Sequence, residues 1–306
     1  MSVLNRFSLV CLLLSLMFCM GALADDAKPV DVATKPAAAD NDAAATKKAA
    51  TKLFTDGLMM MNHHSYDRAE ESFIEALKLE PDSYNTRIYL AKCYLSEKKK
   101  KNLQALERYR EAIKIDPKKP VAYDGLISVY INLLLYKDAV NAGNEALKNG
   151  VPKESIAGSL GWALYIFGDY DKAVEQFRIV REAMPLDAVS YNNEGLARFA
   201  QERYEDALAL FKQAGEKNPE SELVPYFSAL TYMKLGREAD AMDSLRAGMK
   251  LTPDYQTHLV KYDREFFPIK PPGDLDPLFD KIKAADEAKN KAPAQKPEEK
   301  PEAVKN

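Results

Sequence analysis

The chain has 306 residues, 46% of them hydrophobic and 29% charged, with a formal net charge of −3. A mildly acidic balance with no basic stripe recurring along the chain excludes a nucleic-acid partner. The three cysteines and three histidines leave little material for a metal centre.

In chain order, Arg6 precedes an apolar stretch from Phe7 to Met20, followed by Ala22-Leu23-Ala24 and then Asp25-Asp26. A basic start, a short apolar core and small residues at −3 and −1 predict a secretory signal peptide over 1–24, cleaved after Ala24. Phe7 to Ala24 nears the lower length limit of a membrane span, so an uncleaved anchor is the alternative. Bulky Phe18 argues against lipid attachment at Cys19. The expectation is an exported, periplasmic protein that meets the membrane only in transit, its charge moved to −4 by the loss of Arg6. Residues 25–49 are rich in Ala, Lys and Asp and lack aromatics, which predicts a disordered linker.

From Ala50 the chain repeats itself about every 34 residues, the mark of stacked supersecondary units that cannot bury their apolar faces alone. Taking a closing proline as position 32 (Pro81, Pro117, Pro185, Pro219, Pro253, with Pro152 one late) gives six repeats: 50–83, 84–119, 120–153, 154–187, 188–221 and 222–255. Position 20 is Ala69, Ala105, Ala139, Ala173, Ala207 and Ala241. Position 8 is Gly57, Ala91, Ile127, Gly161, Gly195 and Ala229, and position 24 is Phe73, Tyr109, Gly143, Phe177, Phe211 and Leu245. Each unit reads as two amphipathic helices joined by a short turn. Small residues let the two backbones approach, the aromatic fills the space beside them, and the proline ends the second helix. Cys93 falls among apolar neighbours on the first helix of repeat two and is expected to be buried and inert. Lys98 to Lys101 reads as a solvated insertion in the turn of that repeat, with contact to an acidic partner or anionic lipid as the alternative. Residues 256–288 form a capping segment with its helix over 274–285, and 289–306 a disordered tail.

This pattern resembles the tetratricopeptide repeat family, in particular its exported bacterial-type members. The small residues at position 27 (Ala76, Ala112, Ala146, Val180, Ala214, Gly248) complete the resemblance. Ile127, Gly143 and the insertion in repeat two depart from the pattern and leave the packing of repeats two and three open. The resemblance implies an all-α, right-handed superhelical solenoid of helix-turn-helix repeats with a C-terminal capping helix.

A search for catalysis is empty. His63 and His64 are adjacent in a turn and miss the i, i+4 spacing of a metal pair, and no phosphate-binding loop or nucleophile elbow occurs. The expectation is a non-enzyme without cofactor or metal. Function then belongs to the surface, and the resemblance places positions 5, 9 and 12 of every first helix in a concave groove. In the first three repeats these are Phe54, Leu58 and Met61; Ile88, Lys92 and Leu95; Asp124, Ser128 and Ile131. In the last three they are Gly158, Trp162 and Tyr165; Asn192, Leu196 and Phe199; Tyr226, Leu230 and Met233. Thirteen of these eighteen are apolar or aromatic, which predicts either a contact surface or packing between neighbouring inner helices. Trp162, Tyr165 and Phe199 are the expected anchors, with Asn192 and Asn193 reaching the backbone of a bound peptide. The reading is a protein- or peptide-binding scaffold in an envelope assembly. Self-association, or service as an accessory subunit of an envelope enzyme, is the alternative.

Overall fold

The computed structural model describes residues 37–96, 100–252, 254–256 and 275–291. They form helices alone, in pairs that follow the repeat register. One compact unit ends at Pro219 and a second begins at Glu220.

In the first unit the pairs are α1 (Ala37–Asn62) with α2 (Tyr66–Leu79), α3 (Tyr84–Leu95) with α4 (Asn102–Ile115), and α5 (Pro120–Asn132) with α6 (Tyr136–Lys148). They continue with α7 (Lys153–Phe167) and α8 (Tyr170–Ala183), then α9 (Ala188–Ala200) and α10 (Tyr204–Lys217). Each helix packs on the next in sequence, and the first helices α1, α3, α5, α7 and α9 also touch one another in order. The first helices therefore make a continuous inner layer.

The packing within a pair follows from residue size. A Cβ added to Gly57, Gly161 or Gly195 would fall 2.6, 2.8 or 2.5 Å from the ring of Phe73, Phe177 or Phe211. Glycine at position 8 is thus the seat of the ring at position 24. Burying each ring stabilises the pair by about 1.5–3 kcal/mol. In repeat three the sizes are reversed: Ile127 is buried at position 8, Gly143 stands at position 24, and Leu160 of the next repeat fills the place a side chain at Gly143 would need, at 2.7 Å. The two departures are one exchange of volume. All six position-20 alanines have no exposed surface. Ala207→Trp is expected to overpack its pair at a cost on the order of 1–3 kcal/mol. An unchanged urea midpoint would remove the register.

The turns are alike too. One residue in each takes a left-handed conformation: His64, Lys100, Leu134, Gly168, Glu202 and Gly236, with φ from 48° to 95°. The next N–H then reaches back five residues, as from Leu135 to Tyr130 O at 2.8 Å and from Arg203 to Arg198 O at 2.9 Å, and seven across the insertion of repeat two, from Lys101 to Tyr94 O at 2.8 Å. That closure satisfies the last carbonyls of the first helix. Only Gly168 and Gly236 meet the conformation without a side-chain penalty. His63 and His64 are exposed in the first turn, whereas Cys93 is buried with its thiol 3.2 Å from Tyr66 O. Of the lysine run, Lys98 and Lys99 lie outside the described residues, and Lys101 Nζ pairs with Glu70 at 3.0 Å.

One expectation is corrected at the N-terminal side. Helix α1 begins at Ala37 instead of Ala50, so the second half of the expected linker is helical. Alanine has the highest helix propensity, and a helix already nucleated by repeat one extends at little cost. Residues 42–49 are exposed, and Ala50 is buried. The expected leader and the rest of the linker lie outside the described residues, as does most of the tail. No helix among the described residues is long and apolar enough to cross a membrane.

The second unit pairs α11 (Leu223–Lys234) with α12 (Glu238–Leu251). Helix α13 (Asp276–Lys291), expected over 274–285, packs on α12 with Leu278, Phe279 and Ile282 buried. Lys281 pairs with Glu238 at 2.7 Å beside that contact. Pro253, His258 and the Phe266-Phe267 segment lie outside the described residues.

A candidate binding groove on the inner helices

Six of the residues expected on the concave surface, Asp124, Ser128, Ile131, Gly158, Trp162 and Asn193, come together on one groove of about 110 Å³ in the first unit. Helix α5 supplies Asp124, Ile127, Ser128 and Ile131, and α7 supplies Ser155, Gly158, Ser159 and Trp162. Phe177 and Val180 of α8 form the floor, and Asp187 with Val189, Ser190 and Asn193 of α9 closes the far side. Local chemistry fixes these helices in place. Pro120 opens α5 at its first turn, and Asp187 caps α9, accepting from Ser190 N at 2.9 Å and Val189 N at 3.3 Å.

Asp124 has the most unusual surroundings. Ser159 Oγ donates to its Oδ1 at 2.6 Å, tying α5 to α7 across the groove wall. The residue keeps some exposed area on the groove side, yet protein atoms crowd its carboxyl. Lost hydration pushes its pKa up to about 7, against the smaller opposing effects of the Ser159 bond and the Lys92 charge. Lys92 lies over the Tyr89 ring, its ammonium 5.0 Å from the ring centre.

Gly158 differs from the packing glycines. A Cβ built there meets nothing nearer than Val180 Cγ2 at 4.0 Å, so the groove is open beside Trp162. Gly158→Ala is expected to raise stability by about 0.5–1 kcal/mol, the usual gain on removing a mid-helix glycine. Gly161→Ala, three residues on and 2.8 Å from the Phe177 ring, is expected to lower it by about 1–3 kcal/mol. Paired thermal melts of the two variants check both signs.

The remaining candidates are placed elsewhere. Trp162 stacks on Tyr165 at 5.2 Å and 21°, and Tyr165 packs on Tyr170 at 5.8 Å. Burial pushes the Tyr165 hydroxyl pKa up. Phe199 sits edge-on to Tyr204 at 5.4 Å. All three expected anchors keep less than a tenth of their surface. Ile88, Asn192 and Leu196 are buried in the first unit, as Tyr226 and Leu230 are in the second, so they pack helices together. The Asn192 Oδ1 atom is buried without a hydrogen-bond partner. Phe54 is half-buried between Phe73 and Tyr89, and Leu58 is half-buried. Ser155, Ser159, Val189 and Ser190 were not singled out from the sequence. Their signal was positional: Ser155 and Ser159 stand four apart, one residue beyond the expected stripe. Among the described residues no group of His, Cys, Asp or Glu is arranged to hold a metal ion.

Tetratricopeptide repeat family models match residues 61–120 and 198–259. A curated relative, BBSome complex member BBS4 of Bos taurus, is 25% identical over 190 residues, covering 61% of this chain and 36% of its own. Photosystem I assembly protein Ycf3 of Cyanophora paradoxa is 33% identical over 86 residues, 27% of this chain and 49% of the relative. This chain thus spans half or less of the length of either. Among solved structures, PilW, described as a widely conserved type IV pilus biogenesis factor, aligns with a TM-score of 0.60 and 17% identity, over 70% of this chain and 97% of that one.

Proposed function

From the premise that this chain is a tetratricopeptide repeat protein, we propose that it is a non-catalytic adaptor of an envelope assembly, holding an extended segment of a partner protein in the α5–α7–α9 groove. Proteins of this family generally mediate protein–protein interactions, and an interaction scaffold is the function the fold supports. The observation that carries the finer reading is the open space at Gly158 beside Trp162, within walls that are apolar and edged by hydroxyls and an amide. A groove of that size takes one or two side chains of an extended strand. Two relatives carry names of the same kind, a complex member and an assembly protein.

Gly158→Leu tests this directly. Its Cβ meets nothing nearer than Val180 Cγ2 at 4.0 Å, the added side chain takes space in the groove, and leucine favours the helix. Capture from the cell envelope with the full chain is expected to retain a partner that the variant loses while its helicity is unchanged. Equal retention by both proteins would remove the groove from the function. The envelope itself rests on the leader-like residues 1–24. Terminal sequencing of the protein from cells is expected to start at Asp25, and a chain starting at Met1 would count against export.

A further inference from the structure

The groove carries one group that neither the repeat nor the packing requires. Position 5 is Phe54, Ile88, Gly158, Asn192 and Tyr226 in the other repeats, and only in repeat three is it ionisable as a carboxylic acid, Asp124. Both ionisable side chains that line the groove are acidic. They are used differently. Asp187 spends both oxygens on the cap of α9, Oδ1 on Val189 N and Oδ2 on Ser190 N. Asp124 receives the Ser159 hydroxyl on Oδ1, and a carboxylate has room for about four such bonds. Lys92 acts on it through its field while lying over Tyr89. A carboxylate against apolar walls is costly unless a cation or further donors meet it.

We propose that the groove selects its occupant by charge, seating one lysine or arginine side chain with its cationic head on Asp124 and its aliphatic stem along Ile131 and Trp162. This rests on the groove reading above. A long cationic side chain has an apolar stem for such walls and several donors for the vacant carboxylate sites. Charge-assisted bonds of that kind are stronger than neutral ones, and desolvation strengthens them further. The rest of the occupant faces apolar surface and the Ser128, Ser155 and Asn193 side chains.

The test uses libraries of acetylated decapeptide amides of uncharged random sequence, each with one fixed central residue: Lys, Arg, norleucine or Glu. Retention is measured on the immobilised full chain, on D124N and on Gly158→Leu, with circular dichroism of each. On the natural chain the Lys and Arg libraries are expected to be retained about tenfold over norleucine, and the Glu library least. D124N is expected to level Lys, Arg and norleucine while still retaining all three. Equal retention of Lys, Arg and norleucine on the natural chain would overturn the cation seat. So would a preference that survives in D124N. If Gly158→Leu retains every library as well as the natural chain does, the groove reading falls, and the seat with it. Should D124N lose its helicity, Asp124→Ser supplies the same comparison.

Discussion

Arg181→Ala is expected to lower the stability of the first unit by about 3 kcal/mol. Arg181, near the end of α8, places Nε 2.6 Å from Glu194 on α9, and the Glu194 side chain keeps only 5% of its surface. Arg198, one turn along the same helix as Glu194, stands at 3.9 Å. Removing one partner of a buried pair costs about 3–5 kcal/mol, because the charge left behind is neither hydrated nor matched. Residual support from Arg198, and the 26% exposure of Arg181, put this case at the low end. Replacing both partners by apolar residues, Arg181→Met with Glu194→Leu, is expected to be close to neutral. Urea unfolding of the single and double variants measures both. A single variant within about 0.5 kcal/mol of the natural chain would mean that the pair contributes nothing.

Asp124→Asn is expected to stabilise the protein at pH 8 and to leave it unchanged at pH 4. The folded carboxyl titrates at about 7, above its ordinary value of 3.8, so the folded state holds its proton more tightly than the unfolded chain does. Below the unfolded value both states are protonated and the group is neutral in the balance. Between the two values the folded state is progressively disfavoured as pH rises, and above 7 the penalty is complete. The full shift corresponds to roughly 4 kcal/mol, and the residue's remaining contact with solvent reduces this to about 2–3 kcal/mol. The groups around Asp124 leave this window clear. Lys92 from α3 opposes the shift through its charge, Ser159 from α7 does not titrate there, and burial holds the Tyr84 and Tyr109 hydroxyls in their neutral form. The amide oxygen that the substitution introduces still offers Ser159 an acceptor. Stability curves of both proteins from pH 4 to 8 should diverge upward through that window, and parallel curves would sink the assignment.

Much of the fold was legible because the repeat states its geometry six times. Six alanines in one phase with prolines closing the units fix every helix pair, since only one register puts all the small residues at the contact. Where a single residue decides, the reading was weaker. Ile127 and Gly143 looked like two separate departures, because the side chain that fills the place at Gly143, Leu160, comes from the next repeat. The start of α1 was obscured by composition: alanine, lysine and aspartate describe a solvated tether and an exposed helix equally well. For the groove, spacing gave the stripe but not its depth. Trp162, Tyr165 and Phe199 belong to the right face, yet they are buried, with Tyr165 and Phe199 against Tyr170 and Tyr204 of the paired helices, and the open surface shifted toward small serines that carry no hydrophobic signal. Asp124 was recognised as part of the stripe, while its unusual protonation comes from burial of the carboxyl, which spacing along the chain does not state.

The volume exchange at Ile127 and Gly143 has a consequence for how such an array can be rearranged. Repeats one, four and five share one ring-on-glycine joint, and their units are interchangeable in principle. Repeat three is keyed to its place. A phenylalanine ring grafted at 143 would meet Leu160 of the following unit, and a unit moved elsewhere would leave the space beside Gly143 without the leucine that fills it. Duplication, deletion or shuffling of units is therefore constrained around the centre of the chain, where the groove lies. A protein assembled from copies has in this way acquired a middle that can be inherited only whole.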